Sequence, residues 1–394
     1  MQKKIALIIE RSDVMLGGAE RSVFELSGAL AACGHHVDIL AAKGQTDAKN
    51  IKILCGDSAS ERVSLKTFAK ALKNYLAENK YDIIHSVLPL DFADIYQPRG
   101  GSYAETIAQN AASYGNNFFG TIKKITSFIN LRRYSLLRAE KKLCRKQNGP
   151  IVAALSKYVA EQFKKHYRLE ESRIKIICNG VRINKPAETS ETDRFRSQIL
   201  AKLNIKEADE PVFFLFVAHN FRLKGLGPLI KAFKAALANM QRPVFIIVAG
   251  KANTRKYRWL ARKLGIYKHL FFLGNIRNIQ TALAVCDVAV LPTYYDPASR
   301  FILEALAETK PVITTAFNGA SDMFTSGRHG LVIDSPDNTQ ALSEALAYFT
   351  VTANIQNAHR AIEADNIKEN ISIRRAAAEL DALYDSILEK RRST

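Results

Sequence analysis

The chain has 394 residues, and its 57 Lys and Arg against 38 Asp and Glu give a formal net charge of +19. With 47% hydrophobic and 24% charged residues it has the composition of a globular protein, which excludes overall disorder, and its length predicts two domains. No run of about 18 apolar residues is present, and the cysteines are scattered without a CxxC pair, so we expect neither a membrane-spanning helix nor a disulfide framework or structural zinc site.

The first half of the chain alternates apolar runs with helical patterns. An apolar run from Ile5 to Ile9 leads through Gly17-Gly18 into a helical pattern over 19–32, and a second apolar run covers 37–42. This order predicts a strand, a helix and a second, parallel strand. Further helix is predicted over 65–78, further strands over 81–88, 151–154 and 174–177, and a polar linker over 184–193.

A strongly basic stretch, residues 121–146, interrupts this alternation. Nine cations in it accompany a single acid, Glu140, and the apolar residues between them fit an amphipathic helix. Three interpretations stay open: a core-facing helix with a solvated basic face, a helix at an anionic membrane surface, and a nucleic-acid contact, for which no motif is present. The cations are Lys123, Lys124, Arg132, Arg133, Arg138, Lys141, Lys142, Arg145 and Lys146.

The second half restarts the alternation and ends in a long helical pattern. Two doubly wound α/β domains are therefore predicted, with a ligand at the carboxyl ends of the parallel strands. Strands are predicted over 212–218, 244–249, 270–273, 288–291 and 311–315, and helices over 229–240, 256–264, 279–285, 301–308 and 356–390.

Three loops carry residues suited to a charged ligand. Gly17-Gly18 precedes a helix, Arg222 and Lys224 follow the first strand of the second domain, and Asp296 and Glu304 flank a helix start eight residues apart. Backbone N–H groups at a helix start suit phosphate, paired cations suit a diphosphate, and carboxylates suit hydroxyl groups. Each feature also has a structural interpretation: a tight turn, solvated loop cations, and an ordinary helix-start acid with a surface glutamate.

The segment from Asp296 to Glu304 resembles the E-x7-E motif of family 4 retaining glycosyltransferases, whose GT-B architecture has two facing Rossmann-like domains with a cleft between them. Asn179-Gly180-Val181 resembles the segment before the family's linker, and Phe272-Leu273-Gly274 resembles the segment lining its base pocket. Within the family, the lipopolysaccharide core glucosyltransferases are peripheral membrane proteins with a basic insertion where residues 121–146 lie. The further segments that resemble them are Gly17-Gly18, Ile95-Tyr96, Tyr103-Ala104-Glu105, Phe221 with Lys224-Gly225, and Thr314-Thr315-Ala316.

The resemblance implies that the second domain binds a nucleotide sugar. Glu304 would bind the ribose, Asp296 the sugar hydroxyls, and Arg222 with Lys224 the diphosphate, while Asp94 would orient the acceptor or take its proton. The backbone would contribute the remaining contacts: Ala298, Ser299 and Arg300 to the phosphates, Gly17 and Gly18 to the reacting sugar, and Gly274, Asn275 and Ile276 to the base.

Several positions depart from the family pattern. The first acid of the motif is Asp296, one methylene shorter than the usual glutamate, and no histidine lies near Gly100, where many members carry one. Arg182 and Thr309 replace an aspartate and a glycine, and Ala218-His219 replaces a Gly-Arg pair. These departures motivate one alternative, a non-catalytic adaptor that keeps the fold.

The resemblance leads us to expect a metal-independent retaining transferase, without a cofactor, that moves a hexose, first of all glucose, from a UDP-sugar to a membrane glycolipid such as a lipopolysaccharide core. We expect it on the cytoplasmic face of the inner membrane, without a nucleic-acid partner and with its oligomeric state open. A GDP- or ADP-sugar enzyme is the second alternative. The expected domains are 1–183 and 184–370, with a C-terminal helix over 371–394 packing on the first domain.

Overall fold

The computed structural model describes residues 2–13, 18–56, 62–115, 130–184, 188–276 and 278–393. These residues form two compact units. The first comprises those within 1–111, 116–182 and 371–394, and the second those within 112–115 and 183–370. Each unit is built on one parallel sheet, so the predicted α/β fold with two Rossmann-like domains is confirmed.

The sheet of the first unit has the strand order β3-β2-β1-β4-β5-β6-β7, with every neighbouring pair parallel. Its strands are β1 (Lys4–Arg11), β2 (His36–Lys43), β3 (Ile51–Gly56), β4 (Ile83–Ser86), β5 (Ile95–Tyr96), β6 (Ile151–Ala154) and β7 (Ile174–Ile176). Its helices are α1 (Gly18–Ala32), α2 (Leu65–Glu78), α3 (Tyr103–Ala112), α4 (Leu131–Arg145) and α5 (Lys157–Tyr167), together with the C-terminal α14 (Ile373–Arg392).

Strand β1 is buried on both faces, which explains its unbroken apolar run. Ile5, Leu7 and Ile9 pack in the core that contains α1 and α14, whereas Ala6 and Ile8 pack in the core that contains α2. Successive side chains of a strand point to opposite sides of the sheet, so one apolar run serves both layers of helices.

The sheet of the second unit has the order β10-β9-β8-β11-β12-β13 and is also parallel. Its strands are β8 (Val212–Val217), β9 (Val244–Ala249), β10 (Leu270–Gly274), β11 (Val288–Leu291), β12 (Val312–Thr315) and β13 (Gly330–Ile333). Its helices are α6 (Thr189–Leu203), α7 (Leu226–Ala236), α8 (Arg255–Lys263), α9 (Ile279–Val285), α10 (Arg300–Ala307), α11 (Thr339–Tyr348), α12 (Thr352–Ala364) and α13 (Ile367–Asn370). Short 3-10 helices cover Glu171–Arg173, Glu207–Asp209, Leu237–Asn239, Tyr267–His269 and Gly319–Met323.

Strands β8, β11 and β12 are neighbours, so the loops that follow them leave the same edge of the sheet. We name these the β8 loop (residues 218–225), the β11 loop (292–299) and the β12 loop (316–319). Five of the twelve residues predicted to bind the nucleotide sugar lie in the β8 and β11 loops: Arg222, Lys224, Asp296, Ala298 and Ser299.

The predicted C-terminal helix over 356–390 is divided in the structure. Asn366 has φ of +50° and separates α12 from α13, and Ser372 caps the start of α14 by accepting a hydrogen bond from the Arg375 N–H at 3.1 Å. Ser372 also pairs with Val181, and a Cβ at Gly180 would lie 2.6 Å from the Ser372 carbonyl oxygen. The segment Asn179-Gly180-Val181 therefore joins the returning chain within the first unit.

Among the described residues, no helix is both long enough and apolar enough to span a lipid bilayer.

Candidate functional site

The β8 loop is fixed by its glycine and by an aromatic anchor. Gly225 has φ of +80°, and a Cβ there would lie 1.8 Å from the Pro292 carbonyl oxygen, so the β8 loop approaches the β11 loop as closely as a glycine permits. Phe221 is buried, and its ring lies edge-on to that of Tyr257 at 5.7 Å. These contacts hold Lys224 in place at the carboxyl edge of the sheet.

Lys224 and Asp296 form the charged centre of this edge. The Lys224 ammonium donates to Asp296 Oδ2 at 2.7 Å and to the Tyr295 carbonyl at 2.8 Å. The Asp296 backbone N–H donates to the Phe317 carbonyl, and the Asp296 carbonyl accepts from the Gly319 N–H, both at 2.9 Å. Asp296 therefore links the β8, β11 and β12 loops, and both charged side chains keep some contact with solvent.

A buried amide that the sequence analysis did not single out completes this arrangement. Asn318 Oδ1 accepts from the Ser299 N–H at 3.2 Å, and its Nδ2 donates to Thr314 Oγ1 at 2.9 Å. Asn318 is fully buried. It fixes the residue that caps α10, since the Ser299 hydroxyl accepts from the Ile302 N–H. The sequence signal is weak, because an Asn-Gly pair after a strand indicates only a turn.

The start of α10 brings Glu304 to the same region. The Arg300 guanidinium donates to Glu304 Oε1 at 3.1 Å, one turn further along the helix, and both side chains are largely buried. The amino end of a helix carries partial positive charge, which favours an anion there. The structure thus brings together Lys224, Asp296, Ser299, Arg300 and Glu304.

Arg222 makes contacts different from those of Lys224. Its guanidinium lies 3.6 Å from the ring centre of Tyr114 and donates to the Ser113 hydroxyl at 2.5 Å, and both partners belong to the second unit. Burial lowers the pKa of Arg222. Burial also lowers the pKa of Lys256, at the start of α8, and the nearby positive charge of Arg222 lowers it further. The positive charge near the β8 loop thus includes a lysine that the sequence analysis did not single out.

The predicted base-binding segment follows β10. Gly274 has φ of +79° and no atom within 4 Å of the position of a Cβ, and its carbonyl accepts from the Gly250 N–H at 2.7 Å. Asn275 is exposed and Ile276 is partly buried. Open space therefore lies beside Gly274, as contact between its backbone and a planar base would require.

Of the two glycines predicted to approach the reacting sugar, Gly17 lies outside the described residues. Gly18 is the first residue of α1 and is exposed. Nearby in the first unit, the Arg99 guanidinium donates to the Ser22 hydroxyl at 2.9 Å and to Asn179 Oδ1 at 3.0 Å. Gly18 therefore begins a helix whose first turns are tied to the ends of β5 and β7.

Asp94 lies at the amino end of β5, whereas the ligand loops of parallel sheets leave the carboxyl ends. Its Oδ2 accepts from the Ile84 N–H at 2.7 Å, its own N–H donates to the Ile84 carbonyl at 2.9 Å, and Arg391 binds its other oxygen. Burial raises the pKa of Asp94. Both oxygens of the Asp94 carboxylate thus have partners within the protein, and no acceptor substrate is needed to explain its position.

Two other aspartates make the same reciprocal contact before a strand. Asp82 exchanges hydrogen bonds with the backbone of Lys4, at 2.7 and 2.8 Å, and Asp287 does so with Phe213, at 2.7 and 2.9 Å. In each case the carboxylate accepts from the N–H of the first or second residue of the neighbouring strand. The geometry therefore favours a structural role for Asp94 over the expected catalytic one.

Two histidines, one in each unit, differ in exposure. His85 in β4 is fully buried, its Nδ1 lies 2.7 Å from the Tyr384 hydroxyl, and burial lowers its pKa to about 3. His219 on the β8 loop is exposed. His85 is therefore a neutral residue of the core.

Helix α4 is the described part of the predicted basic helix, and Lys123 and Lys124 lie outside the described residues. Its first part, 130–135, is exposed on every side, and Leu131 and Tyr134 are 83% and 46% exposed. Leu136 and Leu143 are buried, so the later turns pack on the first unit. The described cations are Arg132, Arg133, Arg138, Lys141, Lys142, Arg145 and Lys146, all of them exposed.

Glu140, the single acid of that stretch, is the buried centre of a polar cluster. Its Oε1 accepts from the Tyr96 hydroxyl at 2.8 Å, and its Oε2 accepts from the Tyr103 N–H at 2.8 Å and from the Tyr167 hydroxyl. Burial raises the pKa of Glu140 to about 7. One carboxyl group therefore joins α4 to β5, α3 and α5.

Known glycosyltransferase families match residues in both units. The model described as Glycosyltransferase Family 4 matches residues 16–185, and the model described as Glycosyl transferases group 1 matches residues 198–365. Lipopolysaccharide glucosyltransferase WaaG of Escherichia coli (strain K12) is 25% identical over 336 residues, which are 84% of this chain and 85% of WaaG.

Solved structures show the same fold. A crystal structure of WaaG, a glycosyltransferase involved in lipopolysaccharide biosynthesis, matches with a TM-score of 0.69 at 22% identity and covers 98% of both chains. Anabaena HepE in complex with UDP-glucose matches with a TM-score of 0.71 at 16% identity, over 98% of this chain and all of HepE. With its two parallel-sheet units and these matches, the chain is a glycosyltransferase of the GT-B fold, with a Glycosyltransferase Family 4 domain in its first half and a Glycosyl transferases group 1 domain in its second.

Proposed function

We propose that the protein is a retaining hexosyltransferase that moves glucose from UDP-glucose to a membrane glycolipid of the lipopolysaccharide core type. The Lys224–Asp296 ion pair beside the start of α10 carries this proposal, because it combines a cation for the diphosphate with a carboxylate for sugar hydroxyls. Two relatives support the donor and acceptor: WaaG is named a lipopolysaccharide glucosyltransferase, and HepE was solved with UDP-glucose.

In this proposal each donor group has its own set of contacts. Glu304 binds the ribose hydroxyls, and Asp296 Oδ1 binds the glucose hydroxyls while its Oδ2 stays on Lys224. Lys224, Arg222 and the backbone at Ala298, Ser299 and Arg300 bind the diphosphate, and Gly274, Asn275 and Ile276 contact uracil through the backbone. We include no metal ion, because two cations and a helix start supply positive charge at the phosphates.

The proposed reaction keeps the configuration of the sugar. The bond from glucose C1 to the β-phosphate oxygen breaks, and a bond from the acceptor hydroxyl oxygen to C1 forms on the same face. The hydroxyl proton passes to the phosphate oxygen that leaves. Lys224 stabilises the charge that develops on this oxygen, and the protein contributes chiefly position and electrostatics.

Thermal shift against a ligand panel tests the donor. The panel contains UDP, GDP and ADP with their glucose, galactose, mannose and N-acetylhexosamine adducts. UDP-glucose should raise the unfolding temperature most, because a ligand that binds only the folded state stabilises it by mass action. A larger shift with a GDP- or ADP-sugar would overturn the donor assignment. No shift with any nucleotide would favour the non-catalytic adaptor.

Glu304→Ala tests the site itself. The loss of a carboxylate hydrogen-bonded to ribose should weaken UDP-glucose binding by about tenfold to a hundredfold. Glu344→Ala is the matched control, since Glu344 is an exposed glutamate on α11 of the same unit. Calorimetric titration compares the two variants. Equal affinities in both would remove Glu304 from the site.

Membrane association is part of the proposed function, and α4 supports it through its exposed cations with Leu131 and Tyr134. Flotation with vesicles that contain or lack anionic lipid measures it. Arg132→Gln, Arg133→Gln and Arg138→Gln together should reduce the floating fraction on anionic vesicles. Unchanged flotation would count against α4 as a membrane contact.

A further inference from the structure

The positive charge of the second unit is concentrated in one part of its sequence. Residues 211–286 contain 13 Lys and Arg and no Asp or Glu. Two of these cations, Arg222 and Lys224, belong to the β8 loop and its proposed diphosphate contacts. The donor site therefore does not explain the remaining excess, much of which lies on and around α8.

Helix α8 sorts its residues sharply by exposure. Tyr257 and Ala261 are buried, and Tyr257 packs on Phe221 of the β8 loop. With about 100° between successive residues, the opposite face groups five positions into one solvent-facing surface. We name this the α8 face; its members, all exposed, are Arg255, Lys256, Trp259, Arg262 and Lys263.

Trp259 is the only tryptophan of the chain and lies at the centre of the α8 face. It is 60% exposed, and its ring is approached by Lys263 Nζ at 5.3 Å. A single exposed apolar side chain is ordinary on a protein surface, so the indication lies in the combination of the indole with the exposed cations around it. Tryptophan is enriched at the water interface of membranes, where its ring and its N–H are both satisfied.

The charge around Trp259 is not neutralised within the part of the second unit that the structure describes, where no ion pair to an acidic side chain involves a residue of α8. Lys251, in the loop before the helix, and Lys268, in the 3-10 helix after it, extend the positive surface, and both are exposed. Arg262 stacks on the ring of Tyr267 at 4.4 Å. The surface thus keeps its full positive charge for an external anion.

We infer that the α8 face is a second membrane-contact surface, located in the unit that binds the nucleotide sugar, and that it binds an anionic lipid bilayer. Each basic residue near such a bilayer raises the partition constant by about fivefold, and a tryptophan inserts at the depth of the headgroups. A nucleic acid is disfavoured, since single-stranded binders present successive aromatic rings and α8 exposes one. This inference concerns a surface separate from α4.

The single tryptophan allows a direct test, because all tryptophan emission of the full-length protein comes from the α8 face. The protein is mixed with vesicles of phosphatidylcholine alone and of phosphatidylcholine with phosphatidylglycerol. Anionic vesicles should shift the emission to shorter wavelength, and brominated acyl chains in them should quench it. Vesicles that bind the protein without a shift or quenching would overturn the inference, because contact would then run through other residues.

Two triple variants that keep Trp259 locate the effect. Arg255→Gln, Arg262→Gln and Lys263→Gln together should reduce the partition into anionic vesicles by about tenfold or more. The matched control removes three exposed cations elsewhere on the second unit: Arg194→Gln, Lys231→Gln and Lys234→Gln. An equal loss of vesicle partition in both triple variants would show that binding depends only on the total charge of the protein. That result would overturn the assignment of the α8 face as the binding surface.

Two further outcomes also decide the question. Calorimetric titration with UDP-glucose should be unchanged in the α8 variant, which separates a failed lipid surface from a failed donor site. A short RNA that changes the emission while anionic vesicles do not would assign the α8 face to nucleic acid and overturn the lipid proposal.

Discussion

Lys224 and Asp296 form an ion pair at 2.7 Å that joins the loops after β8 and β11. The pair leaves Asp296 Oδ1 on the side of the Ala298 N–H, from which it accepts at 3.3 Å. A shorter side chain than the family's usual glutamate is therefore held by a cation and by its own loop. A glutamate would extend one methylene further towards the sugar. We expect that the ion pair with Lys224 compensates for part of this difference by fixing the position of the Asp296 carboxylate.

Lys224→Met should lower the transfer rate by about 100- to 1000-fold, because it removes a cation from the leaving diphosphate. Asp296→Asn should have a smaller effect, since the amide still accepts hydrogen bonds. If the two residues act as a unit, the double variant should lose less activity than the product of the single losses. Steady-state kinetics of all four proteins measures this coupling. Strictly multiplicative losses would show that the ion pair has no joint role.

Gly225→Ala should destabilise the second unit by about 3 kcal/mol, because a left-handed φ and a clash with the Pro292 carbonyl act together. Gly227→Ala is a matched control two residues further on, since no atom lies within 4 Å of its Cβ position. That substitution should be neutral or slightly stabilising within α7. Denaturant unfolding compares the two, and similar stabilities would contradict the tight approach of the β8 and β11 loops.

Asp94→Asn distinguishes a structural aspartate from a catalytic one. The carboxylate accepts with both oxygens, and an amide has only one, so either Arg391 or the Ile84 N–H loses its acceptor. This should cost about 2 kcal/mol of unfolding free energy, while the transfer rate of the folded protein stays within about twofold. Asp287→Asn should destabilise in the same manner, because Asp287 makes the equivalent contact with Phe213. A large fall in rate for Asp94→Asn at full stability would restore its catalytic assignment.

Glu140 should make the stability of the first unit depend on pH. Its pKa is raised from 4.5 to about 7 by burial, so between these values the folded protein keeps a proton that the unfolded chain loses. The stabilisation is complete below about pH 4.5 and is lost as the pH rises to about 7, in total about 3 kcal/mol. The unfolding free energy of Glu140→Gln relative to the unsubstituted protein should therefore rise across this range.

Glu105→Gln is the control for that measurement. Burial alone would raise the pKa of Glu105, but hydrogen bonds from Gln109 and His166 bring this pKa below its usual value. Its contribution is present above about pH 4.5 and is lost only at lower pH. A wild-type minus Glu140→Gln difference that stays constant from pH 4 to 8 would contradict the raised pKa.

The central strands were predictable from sequence, whereas only two of the four edge strands were. Strands β1, β8 and β9 are buried on both faces and appear as unbroken apolar runs. Of the edge strands, β7 and β10 were predicted, but β3 and β13 were missed, and both of these are only partly buried. The two-residue β5 is too short to give any pattern.

The site was predictable where its charged residues lie in short segments with a characteristic spacing, as Lys224, Asp296 and Glu304 do. Asn318 and Glu140 were missed as positioning residues because their partners lie far away in sequence or on other elements, as Tyr96 does for Glu140. The role of Asp94 was assigned by analogy with an aspartate of similar position. Only the backbone contact with Ile84 shows which edge of the sheet it occupies.

The pairing of Val181 with Ser372 has a consequence for synthesis on the ribosome. Helix α14 supplies Leu380 and Tyr384 to the core that contains β1, so the first unit lacks part of its core until residues 371–392 have been made. The second unit is complete once residue 370 has emerged. Domains usually fold in order from the amino terminus. Here the last part of the first unit's core, which packs along β1 and α1, is encoded after the whole of the second unit.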